Sequence, residues 1–315
     1  MKKASHATPE SLHKIPLIKQ QGFRYFLMLV PFIVLIFLIS YLPLYSWRLA
    51  FFDFRWGRPE NPFVGFDVFR NLINNRFQLE ELMQAVINTF ALSILNVLVM
   101  PLPMFFAIFL WEIKFAPFRK IVQTLTTIPH FISWVLVFAV ASSAFTVDDG
   151  FVNRFLMRIG AIDTGIAFLQ SDQHVWLTMI AWNLWKTMGW SAIVYFAALS
   201  GIDQEQYDAA EVDGAGRWAR IRHITIPGLM DAFFVLFVLN VANFINFGLE
   251  QPMAFINVMN RRYMTTIDVF TVAHGIEGRN ASMAIAVGIL KSLISLIMVF
   301  SANLLSKKVR GKSVF

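Results

Sequence analysis

Cysteine is absent from all 315 residues, which removes disulfide frameworks, thiolate metal sites and cysteine nucleophiles at once. Charge is scarce as well: Asp, Glu, Lys and Arg make up 15% of the chain, against about 25% in soluble domains. Neither H-E-x-x-H nor G-x-S-x-G occurs, so metalloprotease and serine-hydrolase chemistry have no residues to run on. A phosphate-cradling loop needs G-x-x-x-x-G-K-[ST]. Gly311, Lys312 and Ser313 complete its end, but Ser306 stands where the first glycine is required. The chain therefore lacks a nucleotide loop of its own, and no catalytic residue is assigned to it. No internal repeat and no low-complexity tract interrupts it.

Apolar residues fill the gap, at 57% of the chain with a mean hydropathy of +0.58. A bilayer core about 30 Å thick takes roughly 20 apolar residues as a helix. Six stretches reach that length, at about 26–45, 85–111, 121–145, 175–199, 229–248 and 281–305. The expected fold class is thus an all-α polytopic membrane protein with six transmembrane helices. The first stretch is too long for a secretory leader and lacks a small-residue cleavage site, so it reads as a retained helix.

The formal charge of +7 would suit nucleic acid, but in a multispan chain the placement of Lys and Arg sets orientation instead. Fifteen of them fall in the N-terminal tail, the loop near 112–120, the loop near 201–228 and the C-terminal tail, against ten on much longer opposite loops. Both termini are therefore expected in the cytoplasm, and nucleic acid is not an expected partner. The domain reading is a cytoplasmic tail over 1–20, a transmembrane domain over 21–310 with an ordered external loop at 46–84, and a tail over 311–315.

Between the fourth and fifth stretches lies "YDAAEVDGAGRWARIRHITIP". Acidic residues lead, where a helix dipole favours them. Gly214 and Gly216 follow, and glycine takes positive φ freely. The order predicts two short helices with a sharp joint, after which Pro227 restarts the chain into the fifth span. Ala209, Ala210 and Ala215 leave little side-chain bulk, while Trp218 and Ile221 supply an apolar anchor. Such a surface suits docking of a soluble protein, although solvated interfacial helices have the same composition.

The stretch closely resembles the EAA loop of permease subunits of bacterial ABC importers: Glu-Ala-Ala, three residues, Gly, nine residues, then Ile-x-Leu-Pro. Here Asp208-Ala209-Ala210, Gly214 and Ile224-Thr225-Ile226-Pro227 keep the spacing, with Asp208 for Glu and Ile226 for Leu. Tyr207, Asp213 and Ala215 match as well. "LWKTMGWSAIVYFAALSGIDQEQYDAAEVDGAG", "NFGLEQ" and "GKSVF" are similar to the oligosaccharide, LplB-like branch of the carbohydrate permeases. The resemblance implies a type I ABC importer permease fold and a coupling loop over 201–228. Tyr207, Asp208, Ala209, Ala210, Asp213, Gly214, Ala215, Arg217 and Trp218 would meet the ATPase. It implies a second homologous permease subunit as heterodimer partner, two ATPase subunits that bind ATP and Mg, and an extracytoplasmic solute-binding protein. The cargo would be an oligosaccharide, including uronate-rich fragments of alginate or pectin, and the location the bacterial inner membrane. An ion-coupled secondary sugar transporter is the alternative.

Sugars are recognised by aromatic faces and by amide or carboxylate hydrogen bonds. Trp182, Trp190 and Tyr195 in the fourth span, and Asn240, Asn243, Asn246 and Glu250 around the fifth, are the candidates. Adjacent members of the Asn240, Asn243, Asn246 series, three residues apart, share a helical face. Interhelical hydrogen bonding and interfacial packing would use the same residue types. Lys186 and Lys291 lie inside spans, where a lysine must find a partner. That partner is a uronate carboxylate, or a structural acid such as Glu250 or a group on the second permease. Pro129 is the candidate gating residue because proline loosens a helix. His130 beside it reads as a satisfied polar residue, and Asn88 and Thr89 as bonds to neighbouring helices.

Overall fold

The computed structural model describes residues 21–55, 57–58 and 61–310. The expected tails over 1–20 and 311–315, with Gly311 to Ser313, lie outside the described residues. Regular structure among the described residues is helical, apart from one isolated bridge between Phe52 and Phe63. The chain divides into two units, 1–49 and 50–315.

In the first unit, α1 (Gln21–Ile36) runs through Pro31 into a π turn (Phe37–Tyr41) and a 3-10 segment that begins at Leu42. Tyr25, Phe32, Phe37 and Tyr41 are all more than half exposed. A helix apolar on every side and covered on none needs hydrocarbon around it.

The second unit begins its helices with α2 (Asp67–Asn74), α3 (Arg76–Val99) and α4 (Pro101–Trp111). Asn75 caps α3, its Oδ1 accepting from the Gln78 N–H at 3.2 Å. Pro101 is tolerated because it opens a turn whose N–H groups are unpaired in any case, so Arg76–Trp111 acts as one 36-residue helix. Asn88 Nδ2 donates to the carbonyls of Arg262 and Thr265 at 2.7 and 2.8 Å, and Thr89 Oγ1 accepts from the Ile267 N–H at 2.9 Å. These two side chains do bond neighbouring helices, as expected.

The third apolar stretch is not one loosened helix. α5 (Ala116–Thr127) passes into a 3-10 turn (Ile128–Phe131), stops, and restarts as α6 (Trp134–Phe145) after a bend of 109°. Pro129 lacks the N–H the ladder needs, and Ser133 is extended, with its Oγ accepting from the Leu136 N–H at 3.4 Å. A fresh cap makes the interruption a break.

α7 (Phe151–Arg158) lies in the next loop, which Asn153 orders through bonds to the backbone of Thr146 and Ile166. α8 (Val175–Ser200) has 26 residues and packs against α3, α4 and α5. Gly189 permits the closest approach: a Cβ there would stand 2.3 Å from the Thr126 carbonyl, so two backbones touch where only glycine fits.

After α9 (Gln204–Val212) and the single turn α10 (Arg217–Arg220), a π turn (Ile221–Thr225) leads into α11 (Ile226–Ala242). The expected restart at Pro227 does not occur. Arg217–Ala242 is one continuous 26-residue helix, because Pro227 sits in the first turn of α11, directly after a π turn whose wider spacing accommodates the ring and the N–H that proline lacks. The fifth stretch also ends early, at Ala242. Then come α12 (Glu250–Phe255), α13 (Arg261–Met264), α14 (Ile267–Val272), a π turn (Ala273–Glu277) and α15 (Ala281–Arg310), which packs on α11 and α14.

Among the described residues, four helices are long and apolar enough to cross a membrane: Tyr25–Phe51, Arg76–Trp111, Arg217–Ala242 and Ala281–Ser301. The bent pair Ala116–Phe131 and Trp134–Phe145 makes a fifth if counted as one span. α8 has the length of a sixth, but its tryptophans with Asn183, Lys186 and Thr187 dilute its apolar character.

Candidate functional site

Most of the sequence candidates fall in two places, the EAA-like loop and a cavity beside α3, α8 and α11.

In the loop, Asp203 caps α9 by accepting from the Glu205 N–H at 3.0 Å. α9 ends as a glycine cap: Gly214 has φ +75°, and the Ala215 N–H reaches back to the Ala210 carbonyl at 2.8 Å. This is the joint that the small residues predict. Asp208, Ala209 and Asp213 are exposed, and Ala210 and Ala215 half-buried.

Three contacts hold the loop to its helices. Tyr207 Oη lies 3.0 Å from Thr225 Oγ1, Arg220 pairs with Glu211 at 3.2 Å, and Arg217 pairs with Glu112 at the end of α4 at 3.2 Å. The expected apolar anchor divides. Ile221 is buried, whereas Trp218 is 70% exposed and meets the ring of Phe109 edge-on. Val212, 89% exposed, joins Trp218 as an uncovered apolar side chain, a feature the sequence pattern does not single out.

The cavity is about 640 Å³, within the range of small-molecule sites. Asn240, Asn243, Asn246 and Glu250 all line it. Asn243 and Asn246 do not share a helical face, because α11 stops at Ala242 and the Asn246 N–H closes a turn on the Asn243 carbonyl at 2.8 Å. Gly248, at φ +89°, then aims the chain into α12. The turn brings the amides together anyway, by folding the backbone rather than by helical period.

Sequence reasoning missed Ser93, Asn96, Trp134, Asn183 and Gln251, which line the same space. Ser93 and Asn96, three apart on α3, carried the signal that was used for α11.

Asp268 fixes the rim. Its carboxylate pairs with Lys291 on α15 and accepts from the Gly248 N–H at 3.3 Å. Lys291 therefore meets Asp268, and neither Glu250 nor a second subunit is needed.

Lys186 is the larger departure from expectation. It is 7% exposed, and its Nζ donates to the carbonyls of Pro129, His130 and Ile132 at 3.1, 2.7 and 2.6 Å. An ammonium has three protons, so none is left for a sugar carboxylate. The carbonyls belong to the break between α5 and α6, where a cation is favoured, and of the three that of Pro129 also accepts the Ile132 N–H at 3.2 Å. Lys186 holds the break closed, and Pro129 is the buried residue at its centre.

The aromatic candidates scatter. Trp182 packs with Phe145, Trp185 and Phe255, outside the cavity lining. Trp190 stacks on His130 at 4.6 Å with the rings parallel, and with Tyr195 lines a second, smaller cavity. His130 Nδ1 is buried without a partner, so it is not the satisfied polar residue expected.

Compared with known proteins, residues 79–311 match the family described as "Binding-protein-dependent transport system inner membrane component". Protein LplB of Bacillus subtilis (strain 168) is 34% identical over 92% of this chain and 90% of its own. The polygalacturonan/rhamnogalacturonan transport system permease protein YteP of the same organism is 32% identical over 94% and 91%. A chain of a crystallised bacterial alginate ABC transporter, in complex with an alginate pentasaccharide-bound periplasmic protein, superposes with a TM-score of 0.83. It is 29% identical over 93% of this chain and 97% of that one.

Proposed function

The chain belongs to the family of binding-protein-dependent transport system inner membrane components, and from that premise we propose that it translocates oligosaccharides by alternating access. It is a sugar permease subunit of an ABC transporter, embedded in the membrane by several apolar helices. The ion-coupled reading gives way to this one.

One observation carries the mechanism. The helix that leaves the EAA-like loop at Arg217 runs without a break to Ala242, so the loop and the cavity amide Asn240 stand on one element. Tyr207, Asp208, Ala209, Ala210, Asp213, Gly214, Ala215, Arg217 and Trp218 form the surface offered to an ATPase subunit, which supplies ATP and Mg chemistry. A second permease subunit completes the path, and two ATPase subunits and an extracytoplasmic solute-binding protein complete the importer. The loaded binding protein favours the outward-open state through its higher affinity for it. α8 and the bent α5–α6 pair bring the spans to six, with both termini in the cytoplasm of a bacterial cell.

The cargo is a uronate-containing oligosaccharide, a reading supported by what the alginate transporter and the polygalacturonan permease carry. A specific observation favours a neutral one: Glu250 is the single charged residue lining the larger cavity among the described residues. For a uronate, the balancing cation comes from the second permease.

Proteoliposomes holding both permeases and the ATPase, fed with loaded binding protein, test the proposal. Uptake that requires internal ATP and survives an ionophore is expected. Uptake that persists without ATP and collapses with the ionophore refutes it, and competition between acidic and neutral pentasaccharides separates the two cargoes.

A further inference from the structure

Asn96 on α3, Asn183 on α8 and Asn240 on α11 line two cavities at once, the one of about 640 Å³ and the one of about 290 Å³. Three amides from three helices therefore stand at the boundary between two chambers. Asn183 Nδ2 donates to Asn96 Oδ1 at 3.1 Å, while Asn240 Nδ2 turns back to its own helix at the Leu236 carbonyl, 3.0 Å away. One side-chain hydrogen bond thus spans two members of the boundary, with a third amide beside it.

The smaller chamber is polar on one side, with Thr187, Ser191 and Tyr195 among its walls. Tyr195 is 1% exposed and its hydroxyl is buried without a hydrogen-bond partner. Buried hydroxyls are nearly always paired, because an unpaired one forfeits its bonds to water with nothing in return. A donor with no protein partner in the wall of such a chamber is free to meet a ligand or a water there.

Resting on the importer reading above, we propose that the smaller chamber is a second saccharide subsite, and that Asn96, Asn183 and Asn240 form a selective collar between it and the larger one. An amide donates and accepts, and so does a sugar hydroxyl. A pyranose entering the collar replaces the Asn96–Asn183 bond with amide–hydroxyl bonds and leaves nothing unpaired. An apolar solute cannot make that exchange, and the collar stays shut to it. The small volume of the second chamber suits a short segment of chain, so the oligosaccharide advances through the collar in steps.

The test uses the complete importer in proteoliposomes, with an alginate pentasaccharide and maltopentaose as probes. Tyr195→Phe removes only the orphan hydroxyl. Its melting temperature should equal or exceed that of the unaltered complex, while uptake of the transported probe falls about fivefold, as for one lost hydrogen bond. Asn183→Leu, which keeps the branched shape and removes the exchange, should assemble normally and lose uptake. Because the chain has no cysteine, Ser191→Cys reports the chamber when the label is read on this subunit after separation from its partners. Its labelling by a small neutral maleimide should slow at least severalfold during turnover with the transported probe, and the added Asn183→Leu change should abolish that protection. Undiminished uptake in Tyr195→Phe, or no protection of Ser191→Cys, overturns the subsite. No uptake of either probe by the unaltered complex instead overturns the importer reading, and the collar with it.

Discussion

Lys186 Nζ lies 2.6 Å from the Ile132 carbonyl oxygen, a bond from the middle of one helix to the broken end of another. Replacement by methionine removes the cation and strands the His130 and Ile132 carbonyls away from water, while that of Pro129 keeps the Ile132 N–H. Lys186→Met should therefore destabilise the subunit by about 3 kcal/mol, read as a lower melting temperature and as new proteolysis at 128–133. Lys186→Arg should rescue little, since a planar fork does not converge on three oxygens as an ammonium does. An unchanged melting temperature with weakened uptake of acidic sugar alone would return Lys186 to the substrate.

Gly214 holds φ +75° with open space around it, so a methyl group there meets no neighbour and only backbone strain is added. Gly214→Ala should cost about 1 kcal/mol and weaken capture of the ATPase subunit severalfold in a pull-down titration. A bulkier Gly214→Val should do more, through the surface itself. Equal capture by all three proteins would separate the loop from the ATPase.

Glu250 repels a polyanion across the cavity it lines. Glu250→Gln should raise uptake of an acidic pentasaccharide relative to a neutral one, by a few-fold at low ionic strength and less in salt. If the ratio does not move, cargo charge is not sensed at this residue.

Asp268 and Lys291 are both largely buried. Losing one partner leaves the other charged and alone, so Asp268→Ala should destabilise by about 3 kcal/mol and loosen the Gly248 turn. The double change Asp268→Leu with Lys291→Met should recover most of it. A thermal-melt double-mutant cycle measures the difference, and additive losses would mean that the pair does not interact.

The apolar helices were legible because the hydrocarbon requirement is a property of each stretch alone. Pro129 marked where the third stretch fails, but not that it fails completely. The break needs Lys186, which is far along the chain and whose partners are backbone atoms with no sequence signature. Asn240, Asn243, Asn246 and Glu250 share one cavity, as residue type suggested, yet Asn246 arrives there by a turn. Asn96 and Asn183 went unread because a lone amide in an apolar helix looks the same whether it serves packing or a lumen. The loop joint at Gly214 was legible from local chemistry. The continuity past Pro227 was not, because the π turn that accommodates proline is set by the packing of Ile221 and Thr225.

From Arg217 to Asn240 the continuous helix extends about 35 Å at 1.5 Å per residue. A helix this long is stiff in torsion as well as in length, so a roll imposed on the exposed Trp218 arrives at Asn240 with the same sense. Timing between the two ends is then a matter of shaft mechanics. The one compliant section is the π turn at Ile221–Thr225, beside the driven end, which lets the loop settle onto a docking partner before the amide at the far end begins to turn.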